Sequence, residues 1–266
     1  MNILIVGAAG YIGSTVAAAF AAAGHDVAAL RRPGGRPVGG YRPVSGDLAD
    51  PPSLTRAATG FDHVIQAAAP LGPDADLAAA RALLAAGSPV IYTTGAAVLP
   101  AGPADEDTAP DPHPVATGRD QIEREVLAAG GRVIRPGLVY GRGAGLVPEL
   151  LGAWAAKAGT GVYIGPPGVR WPAVHVDDLA ALYVAVAEAA GPGTIWHGVG
   201  ETVRLDAVAA GLGAGAAISW PLAEATEELG PLADLFTRDQ KVSAARTRDR
   251  LGWAPAHTSM LAELAP

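Results

Sequence analysis

The sequence predicts an α/β fold, a doubly wound parallel sheet with helices on both faces and a smaller C-terminal region, on three observations. Short apolar runs rich in branched residues alternate with helix-forming stretches through the first half of the chain. The first of these runs ends in a glycine-rich turn that starts at Gly7. Half of the 266 residues are hydrophobic and 17% are charged, with a mean hydropathy of +0.25. That composition excludes a disordered chain and supplies a sizeable core. At roughly 150 residues per domain, the length fits one large domain or one domain with an appendage.

Taken in order, residues 2–6 are a branched apolar run bounded by Gly7 and read as a strand buried on both faces. Residues 14–23 are helix-forming and stop at Gly24; residues 25–30 make a second strand. The pattern repeats at residues 61–66, 89–93 and 132–135, with helices expected over 77–86 and 120–129. Strands separated by helices give parallel strand–helix–strand units. After Arg135-Pro136-Gly137 the rhythm changes: residues 141–172 are rich in Gly and Pro, with Leu146, Trp154, Tyr163 and Trp171 scattered among them. A helix over 178–190, a strand over 194–199, a helix from Leu205 and a terminal helix through Lys241 to Leu251 are expected to complete the chain.

A net charge of −7 and a pI near 5.3 mean that no overall field draws the chain onto nucleic acid or an anionic membrane. No cysteine is present, which excludes disulfides and thiolate metal sites. No His/Asp/Glu group has metal-ligand spacing, so no metal is expected. The first 25 residues lack acidic and basic side chains other than His25. They have no basic leader, however, and Gly7, Gly10, Gly13, Ser14 and Thr15 interrupt them, so a soluble, cytoplasmic protein is expected.

Gly7-Ala8-Ala9-Gly10-Tyr11-Ile12-Gly13 places three glycines where the first strand hands over to the first helix. Glycine lets the backbone turn sharply and approach a pyrophosphate, which is held by the free N–H groups of the helix start, so this turn is read as a dinucleotide site. The second strand ends Ala29-Leu30-Arg31-Arg32. A carboxylate for the adenosine 2′-hydroxyl is missing there, and two guanidinium groups stand where a 2′-phosphate would lie, so NADP(H) is the expected cofactor. Asp26 begins that strand and is in the wrong place to favour NAD. The expected division is a Rossmann-like NADP(H)-binding domain at 1–140 and a mainly substrate-binding region at 141–266, with 174–199 returning to the first core.

With these residues in hand, the chain resembles the extended short-chain dehydrogenase/reductase family of the NAD-dependent epimerase/dehydratase type. Gly46-Asp47-Leu48, Gln66-Ala67-Ala68-Ala69, Arg135-Pro136-Gly137-Leu138-Val139-Tyr140-Gly141, Val174-His175-Val176-Asp177-Asp178-Leu179 and Leu251-Gly252-Trp253-Ala254-Pro255 carry the resemblance. It implies that Asp47 and Leu48 meet the adenine, and that Ala67, Ala68, Pro136 and Val139 lie along the cofactor towards the nicotinamide. It also implies a Tyr-x-x-x-Lys catalytic pair, which this sequence lacks. Four residues after Tyr11, Tyr41, Tyr92, Tyr140, Tyr163 and Tyr183 stand Thr15, Ser45, Ala96, Ala144, Pro167 and Ala187. Val115 and Arg119 occupy the places of the pair. Arg119 cannot give up a proton at neutral pH, but it can hold a ribose hydroxyl, and it is taken as a cofactor and catalytic residue. The family serine falls on Thr94 or Gly95; Thr94 is taken as the partner of the substrate oxygen. Tyr140, Trp154, Trp171 and His175 are expected on the substrate wall, and Asp177 or Asp178 as the N-cap of the helix that follows.

Three functions compete. The first is an NADPH-dependent ketoreductase for a bulky, aromatic polyketide-type ketone, with the proton taken from water or from the substrate itself, as the resemblance to atypical ketoreductases of angucyclinone biosynthesis implies. The second is a sugar-nucleotide epimerase or dehydratase using Arg142, Lys157 and Arg170 for the diphosphate. The third is a non-catalytic NADP(H) sensor. A small-molecule partner is expected, with neither nucleic acid nor membrane; the sequence leaves the oligomeric state open.

Overall fold

In the computed structural model, which describes residues 1–35 and 38–264, the strand with no hydrophilic interior comes first: β1 (Asn2–Val6). Its side chains alternate between two cores, Ile3 and Ile5 on one face of the sheet, Leu4 and Val6 on the other. The chain continues through α1 (Tyr11–Ala22), β2 (Asp26–Arg31), β3 (Arg42–Ser45), α2 (Pro51–Ala58), β4 (His63–Gln66), α3 (Pro73–Ala85), β5 (Val90–Thr93), β6 (Gly102–Ala104), α4 (Arg119–Ala128) and β7 (Arg132–Pro136). Beyond these lie β8 (Leu138–Tyr140), α5 (Leu146–Ala158), β9 (Gly161–Ile164), β10 (Arg170–His175), α6 (Val176–Ala189), β11 (Thr194–Gly198), β12 (Glu201–Arg204), α7 (Leu205–Leu212) and β13 (Ala217–Trp220). The remainder is α8 (Leu222–Leu229), α9 (Pro231–Leu235), β14 (Gln240–Val242), α10 (Ala245–Leu251) and α11 (Met260–Leu264).

Seven strands form one parallel sheet in the order β11-β7-β5-β4-β1-β2-β3. The order reverses between β1 and β4, and the crevice at the carboxyl ends of the strands opens there. The fold is Rossmann-like. On one face α1 and α6 pack Val16, Phe20, Leu179, Leu182 and Val186 onto Ile3, Ile5, Ile65 and Ile91. On the other face α2, α3 and α4 bring Leu54, Leu83, Ile122 and Val126 onto Leu4, Val64 and Val133. A third core holds Leu151, Trp171, Val208, Phe236 and Met260 and belongs to the later elements, which include the three-stranded sheet β12-β10-β8 and the pairs β13-β9 and β14-β6.

Several expectations are corrected. Helix α1 begins at Tyr11 rather than at residue 14, because Gly10 takes the N-cap with extended ψ and Gly13 continues the helix. The expected terminal helix through Lys241 does not exist as one element. Residues 240–242 are strand β14, paired in parallel with β6, and the helix starts at Ala245. Within the Gly- and Pro-rich 141–172 stretch, for which no helix was expected, lies α5, whose Pro148 falls in the first turn, where no intrahelical N–H is needed.

Candidate functional site

Two cavities open at the carboxyl edge of the sheet. The larger, about 910 Å³, is lined by Gly7, Ala8, Ala9, Arg31, Arg32, Asp47, Leu48 and Ala68, among others. The smaller, about 320 Å³ and called the inner cavity below, lies between the first turn of α1 and the ends of β5 and β7.

The larger cleft is built by the glycine turn. Gly7 adopts φ +94°, which favours glycine, and a Cβ there would stand 2.6 Å from the Ala68 backbone. A Cβ on Gly13 would stand 2.1 Å from the Gly7 carbonyl oxygen. The two glycines therefore let strand, turn and helix close on one another, and no side chain caps the start of α1. Its N–H groups remain for an anion at the positive end of the helix dipole. Arg31 is steadied by a 2.8 Å hydrogen bond from Nη1 to the Gly35 carbonyl, while Asp26 lies exposed at the far end of β2. These residues fit a dinucleotide. Ala67 lies just behind the cleft wall, its N–H held by the Val6 carbonyl at 3.0 Å.

Tyr11, Ile12, Thr93, Thr94, Gly95, Pro136, Val139, Leu146, Trp171 and Gln240 line part of the inner cavity, whose wall has no charged side chain among the described residues. The hydrogens of its polar side chains are spent inside the protein. The Tyr11 hydroxyl donates to the Gly141 carbonyl at 2.8 Å. Burial, reinforced by Glu263 and Asp177, raises its pKa, the reverse of what an acid catalyst needs. Thr93 Oγ1 donates to the Gln66 carbonyl at 2.6 Å and meets the Tyr183 hydroxyl at 2.5 Å. Gln240 Nε2 donates to the carbonyls of Ala96 and Leu99 at 2.9 and 3.0 Å. Thr94 Oγ1 donates at 2.6 Å to Glu123, so the hydrogen expected to meet a substrate alkoxide points at a carboxylate instead. Glu123 is in turn gripped by Arg135, through Nε at 3.0 Å and Nη2 at 2.5 Å, both residues being 1% exposed.

Arg119 opens α4 and reaches the Thr93 carbonyl with Nη1 at 3.5 Å, behind the cavity rather than in its wall. Val115, in the family tyrosine's place, is exposed on a short 3-10 turn. Of the aromatic residues expected on the substrate wall, Trp171 is there. Trp154 is drawn into a cluster with Trp220 and Phe236, ring centres 5.6 and 5.4 Å away, because the rings bury more surface together than over the cavity. Tyr140 is 1% exposed, its hydroxyl donating to Glu201 at 2.8 Å, and it lies outside the inner cavity. His175 also lies outside it. Its Nδ1 accepts the Asp177 N–H at 3.2 Å, so the N-cap expected of Asp177 or Asp178 is this imidazole. Asp178 instead accepts the N–H groups of Ala256 and His257, each at 2.9 Å.

Among the described residues, His175, Asp178 and His257 bring ligand-type atoms within 4.8 Å of one another. The two imidazoles are stacked with centres 3.8 Å apart and planes 19° apart, so their in-plane lone pairs run side by side instead of converging. Both Asp178 oxygens are already used by backbone N–H groups. The trio fits a tie that fastens the 253–257 segment to α6 better than a metal site.

Sequence reasoning gave no role to Glu123, Gln240 or Tyr183. The available signal was an arginine inside the branched strand Val133-Ile134-Arg135, since a buried cation requires a buried partner.

No described helix is long and apolar enough to cross a membrane. A model of the NAD dependent epimerase/dehydratase family matches residues 3–111. An uncharacterised protein of Schizosaccharomyces pombe is 31% identical over 100% of this chain and 98% of its own. A 3-diazoavenalumate denitrifying reductase of Streptomyces sp is 30% identical, covering 97% of each. Among solved structures, MoeE5 in complex with UDP-glucuronic acid and NAD superposes with TM-score 0.79 at 20% identity, over 99% of this chain and 96% of that one. The human epimerase family protein SDR39U1 with NADPH gives 0.76 at 22%, over 99% and 98%. The glycine turn, the strand order and relatives at 30–31% identity along almost the whole length agree: the chain belongs to the NAD-dependent epimerase/dehydratase family, whose fold neighbours hold NAD or NADPH.

Proposed function

We propose that the protein is an NADPH-dependent reductase for a flat, apolar aromatic acceptor, first of all a ketone of polyketide type, working without its family's tyrosine and lysine. The carrying observation is the inner cavity, whose wall has no charged side chain among the described residues and includes Trp171. A sugar diphosphate would need cations there. Arg142 is paired with Asp177 at 2.7 Å and Arg170 with Asp239 at 2.5 Å, while Lys157 borders a separate groove beside Trp154 and Trp220.

In this reading Gly7, Gly10 and Gly13 seat the pyrophosphate, Asp47 and Leu48 the adenine, and Arg31 and Arg32 the 2′-phosphate. Pro136 and Val139 border the ring end. A bound reduced nicotinamide would supply hydride. The chain supplies orientation and a dry wall, and leaves the proton to water or to a phenol next to the substrate carbonyl.

A second acceptor class is favoured by the same cavity together with one relative's name. An arenediazonium that exchanges dinitrogen for hydrogen takes up hydride and consumes no proton, so a pocket whose side-chain hydrogens are all engaged is no handicap to it.

The test is calorimetric and kinetic. NADPH should bind at least about tenfold tighter than NADH, and Arg31→Glu with Arg32→Glu should remove that preference. Equal affinities in the native protein would overturn the cofactor assignment. NADPH consumption with polycyclic aromatic ketones or arenediazonium salts supports the reductase. Tight NADPH binding with no turnover of any of them would favour a sensor.

A further inference from the structure

Thr94 gives the inner cavity a side-chain oxygen whose hydrogen is directed by a carboxylate. Thr94 Oγ1 lies 2.6 Å from Glu123 Oε1. Glu123 takes both Nε and Nη2 of the forked Arg135 guanidinium as donors, and a carboxylate paired in this way accepts hydrogen bonds. The Thr94 hydroxyl must therefore donate to it. A hydroxyl has one hydrogen and two lone pairs, so what Thr94 keeps for anything in the cavity is acceptor capacity alone. The backbone adds to the fixation, since the Thr94 N–H is bonded to the Ile134 carbonyl at 3.0 Å on the neighbouring strand. The other polar side chains of the wall offer no competing donor: Tyr11, Thr93 and Gln240 direct their hydrogens at carbonyls of the protein.

We propose that Thr94 is a specificity-determining acceptor, oriented by the Glu123–Arg135 pair, and that the substrate presents an O–H or N–H to it. The site then selects a hydroxylated or amino-substituted aromatic and disfavours the corresponding methyl ether. Arg135 and Glu123 are positioning residues that act through the direction of one hydroxyl. This deepens the reductase reading, because it rests on the inner cavity being the substrate site.

Binding tests the idea without turnover. Calorimetric titration of the NADP⁺-loaded protein with 2-naphthol and with 2-methoxynaphthalene at pH 7 should show the naphthol binding about tenfold tighter. Thr94→Val, which keeps the shape, should bring the two within about twofold. Thr94→Ser should restore the difference, which a purely structural threonine would not require. In Glu123→Gln the amide N–H can donate to Thr94, so its hydroxyl turns its hydrogen to the cavity and 2-acetylnaphthalene should gain on the naphthol; Thr94→Val and Thr94→Ser carry the test if that variant does not fold. Equal binding of naphthol and ether, a preference that survives Thr94→Val, or no binding of either ligand overturns the proposal. Absent discrimination with NADPH turnover intact removes the role of Thr94 and leaves the reductase. Intact discrimination without turnover does the opposite.

Discussion

His197 shows how much a single buried side chain can set the behaviour of this protein. It is fully buried, its Nδ1 is bonded to the Ser243 carbonyl at 2.8 Å, and its Nε2 has no partner among the described residues. Burial, helped by nearby Arg135, pushes its pKa down from 6.5 to about 4. The unfolded chain takes up a proton near pH 6.5 and the folded chain only near pH 4. The corresponding stability is complete above the upper value and is lost as pH falls through that window, by about 3 kcal/mol in all. His197→Asn keeps a short donor and cannot titrate. Its urea midpoint should fall less than that of the native protein between pH 6.5 and 4.5, and parallel curves would show that His197 is not the group responsible. At the same scale, Glu123→Ala would strand the Arg135 guanidinium in the core. Chemical denaturation should register a loss of about 3–5 kcal/mol, the usual result of removing one member of a buried pair.

At the level of the element, the strand-turn-helix unit that opens the chain is where sequence and structure meet most closely. A methyl group on Gly13 has nowhere to go, so Gly13→Ala should cost about 2 kcal/mol or more in thermal or urea unfolding, and NADPH affinity should fall with it. Native-like stability and affinity would contradict the close approach of Gly13 to Gly7. The core strands were legible because their branched, uncharged residues are buried on both faces, as in β1 and β4. Other elements were hidden by the residues that begin or edge them. Helix α2 starts Pro51-Pro52, and β3 carries Pro43, which a strand at the sheet edge tolerates because its outward N–H needs no partner. In the site, the close turn at Gly7 and Gly13 could be read locally. The engagement of Thr94 could not, because its partner Glu123 comes 29 residues later and is fixed by Arg135 on yet another element. His175 misled for the same reason: sequence shows a titratable imidazole, and only the fold shows it capping α6.

Across the whole molecule, the last helix is fastened at several points. Met260 is fully buried and its N–H reaches Glu201 at 2.7 Å. Glu263 accepts from the Arg142 N–H at 3.1 Å and approaches His175 Nε2 at 3.2 Å. A chain stopped after residue 257 should lose these ties, and its melting temperature should fall by about 5 °C or more; an unchanged melting curve would show that α11 is an ornament. Tyr11 gives the fold a different kind of constraint. Its ring stands on the helical turn beneath the expected phosphate seat, and its phenol is fastened to the 141–144 loop. Anyone exchanging that loop for a relative's to change what the protein accepts will therefore also disturb the seat, unless the graft brings a carbonyl to the position Gly141 now provides.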